Sequence, residues 1–297
     1  MSEATPTATR VAGVALEHPL LNAAGTAKSL DDVARLARSP VAAVTLGSIT
    51  KAARDGNAGE VYASRGTYAV NALGMPNRGA DFYRDVLPEM AGVTHEAGKP
   101  LVVSVAGFSP EENGELAHLA AEGGCDLVEL NLGCPNVWDD GEQKRIMSFD
   151  PELVAASLRA AAGAGVPVGV KLSPLSDPVL LGEVAAAAAG AGVRFVVSCN
   201  TFPNGLALRP DGRAAVDVGY GGVSGAAMKP VVLGQVSQLR ALLPEAVDVV
   251  GCGGVRSGQD VRDLLAVGAV ATGLATAFWD AGEDPGVFAD VLADWLD

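Results

Sequence analysis

The sequence of 297 residues predicts a single α/β domain, a (β/α)8 TIM barrel, and three observations carry that prediction. Short apolar runs alternate with longer helical patterns from end to end. The runs are continuous Val/Leu/Ala stretches, as expected of parallel strands covered on both faces. No Pro/Ser-rich linker divides the chain. Length alone allows one large barrel or two ordinary domains. A doubly wound sheet is the alternative, but eight strands suit closure better.

The predicted strands span residues 20–24, 41–46, 101–106, 127–131, 168–172, 195–200, 247–251 and 270–274. Helical patterns lie between them at 30–37, 82–96, 112–122, 151–162, 178–189, 226–243 and 258–266, with a last one near 285–295. The alanine tract 185–189 reads as a buried helix, because Ala has the highest helix propensity and packs closely on a sheet. Residues 1–10 read as a short disordered polar tail, and 11–297 as one barrel domain. Residues 51–77, after the second strand, form a long insertion, too long for an ordinary βα loop.

With 49% hydrophobic and 19% charged residues the chain can bury a large core. A net charge of −14 argues against nucleic acid or an anionic membrane as partner. No apolar stretch reaches the ~20 residues needed to span a bilayer, and the first ten residues lack the basic start and apolar core of a signal peptide. Four cysteines without C-x-x-C spacing argue against a zinc site, another metal centre or a disulfide framework. The expectation is a reduced cytoplasmic protein.

The run Asn131-Leu132-Gly133-Cys134-Pro135-Asn136 concentrates a thiol and two carboxamides where the fourth strand ends. An amide donates and accepts hydrogen bonds, which suits the edge of a planar heterocycle. A deprotonated thiol is a base or nucleophile at neutral pH. A structural turn with an inert cysteine is the competing reading. The polar residues Asn22, Asn131, Cys134, Lys171, Ser198, Asn200, Thr201 and Cys252 all fall at the C-terminal ends of strands, the face on which barrel sites are built. By strand parity Glu129 and Lys171 could meet inside the barrel.

Two glycine-rich segments, 219–225 and 251–255, sit at late strand–helix junctions, and Ala275-Thr276-Ala277 follows the eighth strand. Bare backbone N–H groups at such junctions hold a phosphate, although glycines there can also serve only as tight turns. Neither GxxxxGK[ST] nor a GxGxxG after the first strand occurs, so a phosphorylated cofactor fits better than ATP or NAD.

Taken in order, Asn22-Ala23-Ala24-Gly25, Asn71-Ala72-Leu73-Gly74-Met75-Pro76-Asn77, the turn bearing Cys134, Gly169-Val170-Lys171-Leu172, Asn200-Thr201, Gly221-Gly222-Val223-Ser224-Gly225 and Gly253-Gly254 resemble the dihydroorotate dehydrogenase family, in its soluble, cysteine-dependent branch. The resemblance covers almost the whole chain and implies an FMN-containing oxidoreductase of pyrimidine biosynthesis, a homodimer. It implies that FMN meets Ala23, Ala24, Gly25, Asn131 and Lys171, with its phosphate on Gly222, Gly253, Gly254, Ala275 and Thr276. Asn71, Leu73, Gly74, Met75, Asn131, Asn136, Asn200 and Thr201 would hold the substrate. Cys134 would be the catalytic base, removing a proton beside a carbonyl while hydride passes to flavin N5. His18, His95 and His118 lie away from the barrel mouth and offer no alternative base.

One departure stands out. Gly47 occupies the position of a family lysine that reaches both flavin and substrate, and Lys51 nearby reads as solvated. A missing cation predicts poor use of dihydroorotate, or the same chemistry on another cyclic or unsaturated carbonyl compound in a specialised biosynthetic pathway. Ala24 and the loop 137–149 also differ from the family pattern. A barrel that binds a phosphorylated metabolite without redox chemistry is the reading from a different class.

Overall fold

Runs such as Val44–Ile49 and Leu101–Val105 are buried along their whole length, so neither face can meet water. That requirement is satisfied when strands close on themselves inside a ring of helices. A computed structural model of the chain, which describes residues 7–297 except 140, 141 and 144, shows this arrangement. The barrel strands are β1 (Leu20–Asn22), β2 (Val44–Ile49), β3 (Leu101–Val105), β4 (Leu127–Asn131), β5 (Val168–Leu172), β6 (Phe195–Ser198), β7 (Asp248–Cys252) and β8 (Ala271–Leu274). All neighbouring pairs from β2 through β8 to β1 are parallel. The β1–β2 seam is bridged by a side chain. Asn22 Nδ2 donates to Thr45 O and its Oδ1 accepts from Thr45 N, each at 2.8 Å. Asn22 is therefore a buried structural clasp, one of the polar strand-end residues that belongs to the frame.

The outer layer consists of α1 (Leu30–Ala37), α2 (Gly79–Glu96), α3 (Pro110–Glu122), α4 (Pro151–Ala160), α5 (Pro178–Gly190), α6 (Lys229–Leu242), α7 (Gly258–Ala266), α8 (Thr276–Asp280) and α9 (Gly286–Leu296). Ser29, Ser109, Asp150, Asp177 and Ser257 cap the helices they precede, each accepting from backbone N–H groups of the first turn. The alanine tract lies in α5, where Val184, Ala185 and Ala188 are buried against the barrel.

Three expectations need correction. Thr9 and Arg10 are not tail: Thr9–Val11 pairs with Val14–Leu16 in a hairpin. Helix α8 has no counterpart in the sequence reading, because five residues show no helical period. The predicted helix over 226–243 begins as a 3-10 turn, Ala226–Met228, before α6. The segment between β2 and α2 contributes strands Tyr62–Ser64 and Ala69–Asn71. They join Gly221–Ser224 and Phe202–Gly205 in a four-stranded antiparallel sheet, which brings Asn71 opposite Gly222.

Candidate active site

The turn after β4 owes its path to one glycine. A Cβ on Gly133 would lie 2.5 Å from Ser173 N and 2.6 Å from Leu172 C, so only a bare backbone can cross the end of β5 there. The crossing brings Cys134 to the barrel mouth, half-buried. Burial pushes its thiol above the ordinary range, opposed by the Asn136 backbone N–H and the positive charges of Lys171 and Arg54. Asn136 ties the turn to the insertion, donating to Asn71 O at 2.8 Å and Asn71 Oδ1 at 3.0 Å. Asn71 in turn donates to Gly222 O at 3.2 Å.

Strand register sets Lys171 of β5 beside Asn131 of β4. Lys171 is only 5% exposed, and among the described residues no hydrogen bond or ion pair engages its ammonium. Desolvation works against the charge, yet Cys252, Glu129, Cys199 and Cys134 around it hold the ammonium above its ordinary value. The expected Glu129–Lys171 ion pair does not form; Glu129 Oε1 instead accepts from Ser104 Oγ at 2.7 Å.

The 73–75 turn carries a second electropositive feature. Asn57 Nδ2 donates to Ala72 O at 2.7 Å, Asn57 N to Leu73 O at 2.9 Å and Arg54 Nε to Gly74 O at 3.1 Å. With three consecutive carbonyls turned to one side, the N–H groups of Leu73, Gly74 and Met75 turn to the other, since C=O and N–H of a trans peptide oppose each other. Among the described residues these N–H groups have no acceptor, and their residues line the cavity. Such a nest binds an anion, a carboxylate being the natural size.

These groups face one cavity of about 1150 Å³, part of it open to solvent. It is lined by Ala23, Ala24, Gly25, Asn71, Leu73, Gly74, Met75, Asn131, Cys134, Asn136, Lys171, Asn200, Thr201, Gly253, Gly254, Ala275 and Thr276. One sequence-predicted residue is missing. Gly222 does not line the cavity: it sits in the small sheet, where a Cβ would overlap Thr201 Oγ1. Gly225, three residues on, lines the cavity instead. At the phosphate end Gly253 and Gly254 hold φ of +127° and +82°, and a Cβ on Gly254 would meet Lys229 at 2.7 Å. Bare N–H groups there, with a buried cation in the same cavity that has no partner among the described residues, fit a ligand with an anionic phosphate and an electron-rich ring. That is the chemistry of FMN.

Several lining residues escaped the sequence reading: Lys28, Ser48, Tyr62, Cys199 and Trp279. Lys28 lies three residues beyond Gly25, and its proximity was the available signal. Burial lowers its ammonium against the pull of Asp32 and Glu283. Tyr62 and Trp279 pack edge-on, 5.0 Å apart, with nothing in sequence to pair them. Gly47 is absent from the lining. Its φ is +113° and a Cβ would overlap the Ser104 carbonyl oxygen, so this backbone has no room for a lysine there. Lys51 is on the surface, 2.7 Å from Glu115. None of the three histidines lines the cavity.

Comparison with known proteins agrees with this geometry. The family model described as Dihydroorotate dehydrogenase matches residues 7–294. Dihydroorotate dehydrogenase (fumarate) of Trypanosoma cruzi is 34% identical over 290 residues, covering 94% of this chain and 89% of its own length. Dihydroorotate dehydrogenase A (fumarate) of Lactococcus lactis subsp. cremoris is 30% identical, covering 96% and 92%. The catalytic subunit of dihydroorotate dehydrogenase B (NAD(+)) from Methanopyrus kandleri is 38% identical over 243 residues, 80% of this chain and 74% of that one. A dihydroorotate dehydrogenase structure from Eimeria tenella, in complex with ferulenol, superposes with a TM-score of 0.83 at 18% identity, over 99% of this chain and 85% of that one, a likeness of fold.

Proposed function

Because this chain belongs to the dihydroorotate dehydrogenase family, and so is an FMN-dependent oxidoreductase acting on CH–CH groups, we propose that it converts dihydroorotate to orotate with Cys134 as the base. One observation carries the reading: the Cys134 thiol and the unpaired Lys171 ammonium share a cavity whose walls are carboxamides. FMN, when bound, supplies a hydride acceptor at N5. The protein does the rest. The nest of Leu73, Gly74 and Met75 takes the substrate carboxylate. Asn71, Asn131, Asn136, Asn200 and Thr201 hold the ring by its carbonyl and N–H edges. Cys134 removes the proton next to the carbonyl, and Lys171 balances the charge of the electron-rich ring of the cofactor. Ala23, Ala24 and Gly25, with Gly225, Gly253, Gly254, Ala275 and Thr276, form the remaining cofactor wall.

The alternative substrate suggested by Gly47 finds no support. That glycine does not face the cavity, and the curated relatives are named for dihydroorotate. The positive charge a carboxylate needs comes from elsewhere, from the peptide nest, Arg54 beside it and Lys28. Lys28→Met is expected to raise KM for dihydroorotate about tenfold while leaving kcat within about twofold, as loss of a charged contact made equally in ground and transition states does. An unchanged KM removes Lys28 from the substrate site.

The decisive experiment is direct. Denaturing the purified protein is expected to release FMN, identified by mass, and anaerobic addition of dihydroorotate to the holoenzyme is expected to bleach the flavin. Release of FAD, or a flavin that dihydroorotate leaves oxidised, overturns the proposal. The same reading includes a homodimer in the cytoplasm. Phe202, Leu206, Leu208 and Tyr220 are exposed apolar side chains available to an interface, the four cysteines are free thiols, and no helix among the described residues is long and apolar enough to cross a membrane.

A further inference from the structure

We propose that buried Glu129 is a positioning residue. Through Ser104 and Ser48 it fixes which way the Asn131 carboxamide faces, and thereby makes this wall of the cavity a hydrogen-bond donor. Glu129 is 4% exposed and points into the barrel two residues before Asn131. It serves neither as base nor as ligand in the reaction above. Its carboxylate can only accept. Ser104 Oγ lies 2.7 Å from Glu129 Oε1 and donates to it. That uses the only hydrogen Ser104 has, so toward Ser48 Oγ, 2.9 Å away, Ser104 accepts and Ser48 donates. Ser48 has then no hydrogen left for Asn131, 2.8 Å away, and must accept from Asn131 Nδ2. The Asn131 oxygen is thereby turned to Asn200, accepting from its Nδ2 at 2.9 Å. Asn200 Oδ1 takes the backbone N–H of Thr201 at 2.7 Å.

Among the described residues each carboxamide is left with one uncommitted N–H, and Asn131 and Asn200 both line the cavity. The chain runs between an acceptor-only end, Glu129, and a donor-only end, the Thr201 backbone N–H, and both ends impose the same polarity. Without the Glu129 end each serine hydroxyl is free to rotate, Ser48 can donate toward the carboxamide, and the Thr201 end alone holds Asn131 in this orientation. Donors on this wall suit the carbonyl oxygens of a planar ligand and repel nothing there. An amide oxygen in the same place would repel them. The Glu129–Ser104 contact therefore sets specificity from inside the barrel, one residue removed from any atom that touches ligand.

The inference rests on Asn131 being a ligand-binding group, and the test separates the two. Orotate affinity of the holoenzyme, read from the flavin spectrum, is measured for wild type, Ser104→Ala, Asn131→Ala and the double variant. Ser104→Ala is expected to weaken orotate about tenfold in the wild-type background and to change nothing further once Asn131 is alanine, the signature of groups that act in series. Ser104→Thr, which keeps the hydroxyl, is expected to restore affinity. Glu129→Gln, whose amide can donate to Ser104 and reverse the chain, is expected to match Ser104→Ala. Ser48→Ala, which breaks the chain one link nearer the ligand, takes its place should Ser104→Ala fold poorly. An equal loss in both backgrounds, or Ser104→Ala within twofold of wild type, overturns the relay. If wild type does not bind orotate, the substrate assignment falls. The same cycle read on the FMN affinity of the apoprotein then decides the relay, with the same pattern required.

Discussion

Cys134→Ser keeps its flavin but slows flavin reduction by dihydroorotate by about 10² or more, because a hydroxyl is a far poorer base than a thiolate near neutral pH. The expected split between cofactor binding and chemistry follows from where the sulfur sits, on the turn over β5, whereas Gly253 and Gly254 follow β7. The pH profile carries a sign. The thiolate is the active form and burial raises the thiol, so the rate climbs with pH and the limb lies above the ordinary thiol value of about 8.5. Cys134→Ser loses that limb altogether. The other cysteines provide the contrast. Cys125, pushed up to about 12 by burial, lies away from the cavity. Cys199 and Cys252 line its floor and are likewise raised by burial, so serine at either position perturbs flavin affinity without removing the alkaline limb. Stopped-flow reduction across pH on all four variants checks this, and equal rate losses in all four would deny Cys134 its role.

The barrel was legible because its strands obey a simple rule. Residues that must be buried on both faces are mostly apolar, as in Val44–Ile49 and Leu127–Asn131, and the few polar ones lie at the mouth or, like Asn22 and Glu129, are buried with hydrogen-bond partners. The carboxamides and the thiol were legible for the same reason: each interrupts an apolar run at its C-terminal end. Glycines were harder to read. Gly253 and Gly254 bare the backbone toward the cavity. Gly222 yields room to Thr201, and Gly47 yields room to the Ser104 carbonyl. A sequence shows the missing side chain in all four cases and not what approaches in its place. Gly47 reads in the sequence as an absent cation, and the fold adds what the sequence does not show: the Ser104 carbonyl approaches in the place of a side chain. Lys28, Tyr62 and Trp279 illustrate the converse. They reach the cavity from three distant segments, and only the closed barrel brings them together. The relay from Glu129 to Asn200 likewise crosses four strands or strand ends, β2, β3, β4 and β6, and has no pattern along the chain.

Lys171→Gln is expected to damage flavin reduction about as much as Cys134→Ser while leaving the barrel folded. The ammonium is 5% exposed and engages no partner among the described residues. Glu129, the one carboxylate among its charged neighbours, gives its hydrogen-bonding oxygen to Ser104. A protein tolerates a desolvated, unpaired cation only where a ligand completes it, since the desolvation cost of a buried ion otherwise goes unanswered. Glutamine fills similar volume and can still donate, but supplies no charge. A charged hydrogen bond contributes about 1.5–3 kcal/mol, or roughly 10–10² in rate, if it forms fully only as negative charge reaches the flavin ring. The reduction potential of the bound flavin is therefore expected to fall, and flavin reduction by dihydroorotate to slow by about 10². FMN affinity of the oxidised apoprotein is expected to drop less than the rate does. Potentiometric titration beside single-turnover kinetics separates these effects. A Lys171→Gln enzyme with wild-type potential and a slowed rate would move Lys171 from the cofactor to the substrate, and one with both unchanged would leave the buried charge without a function.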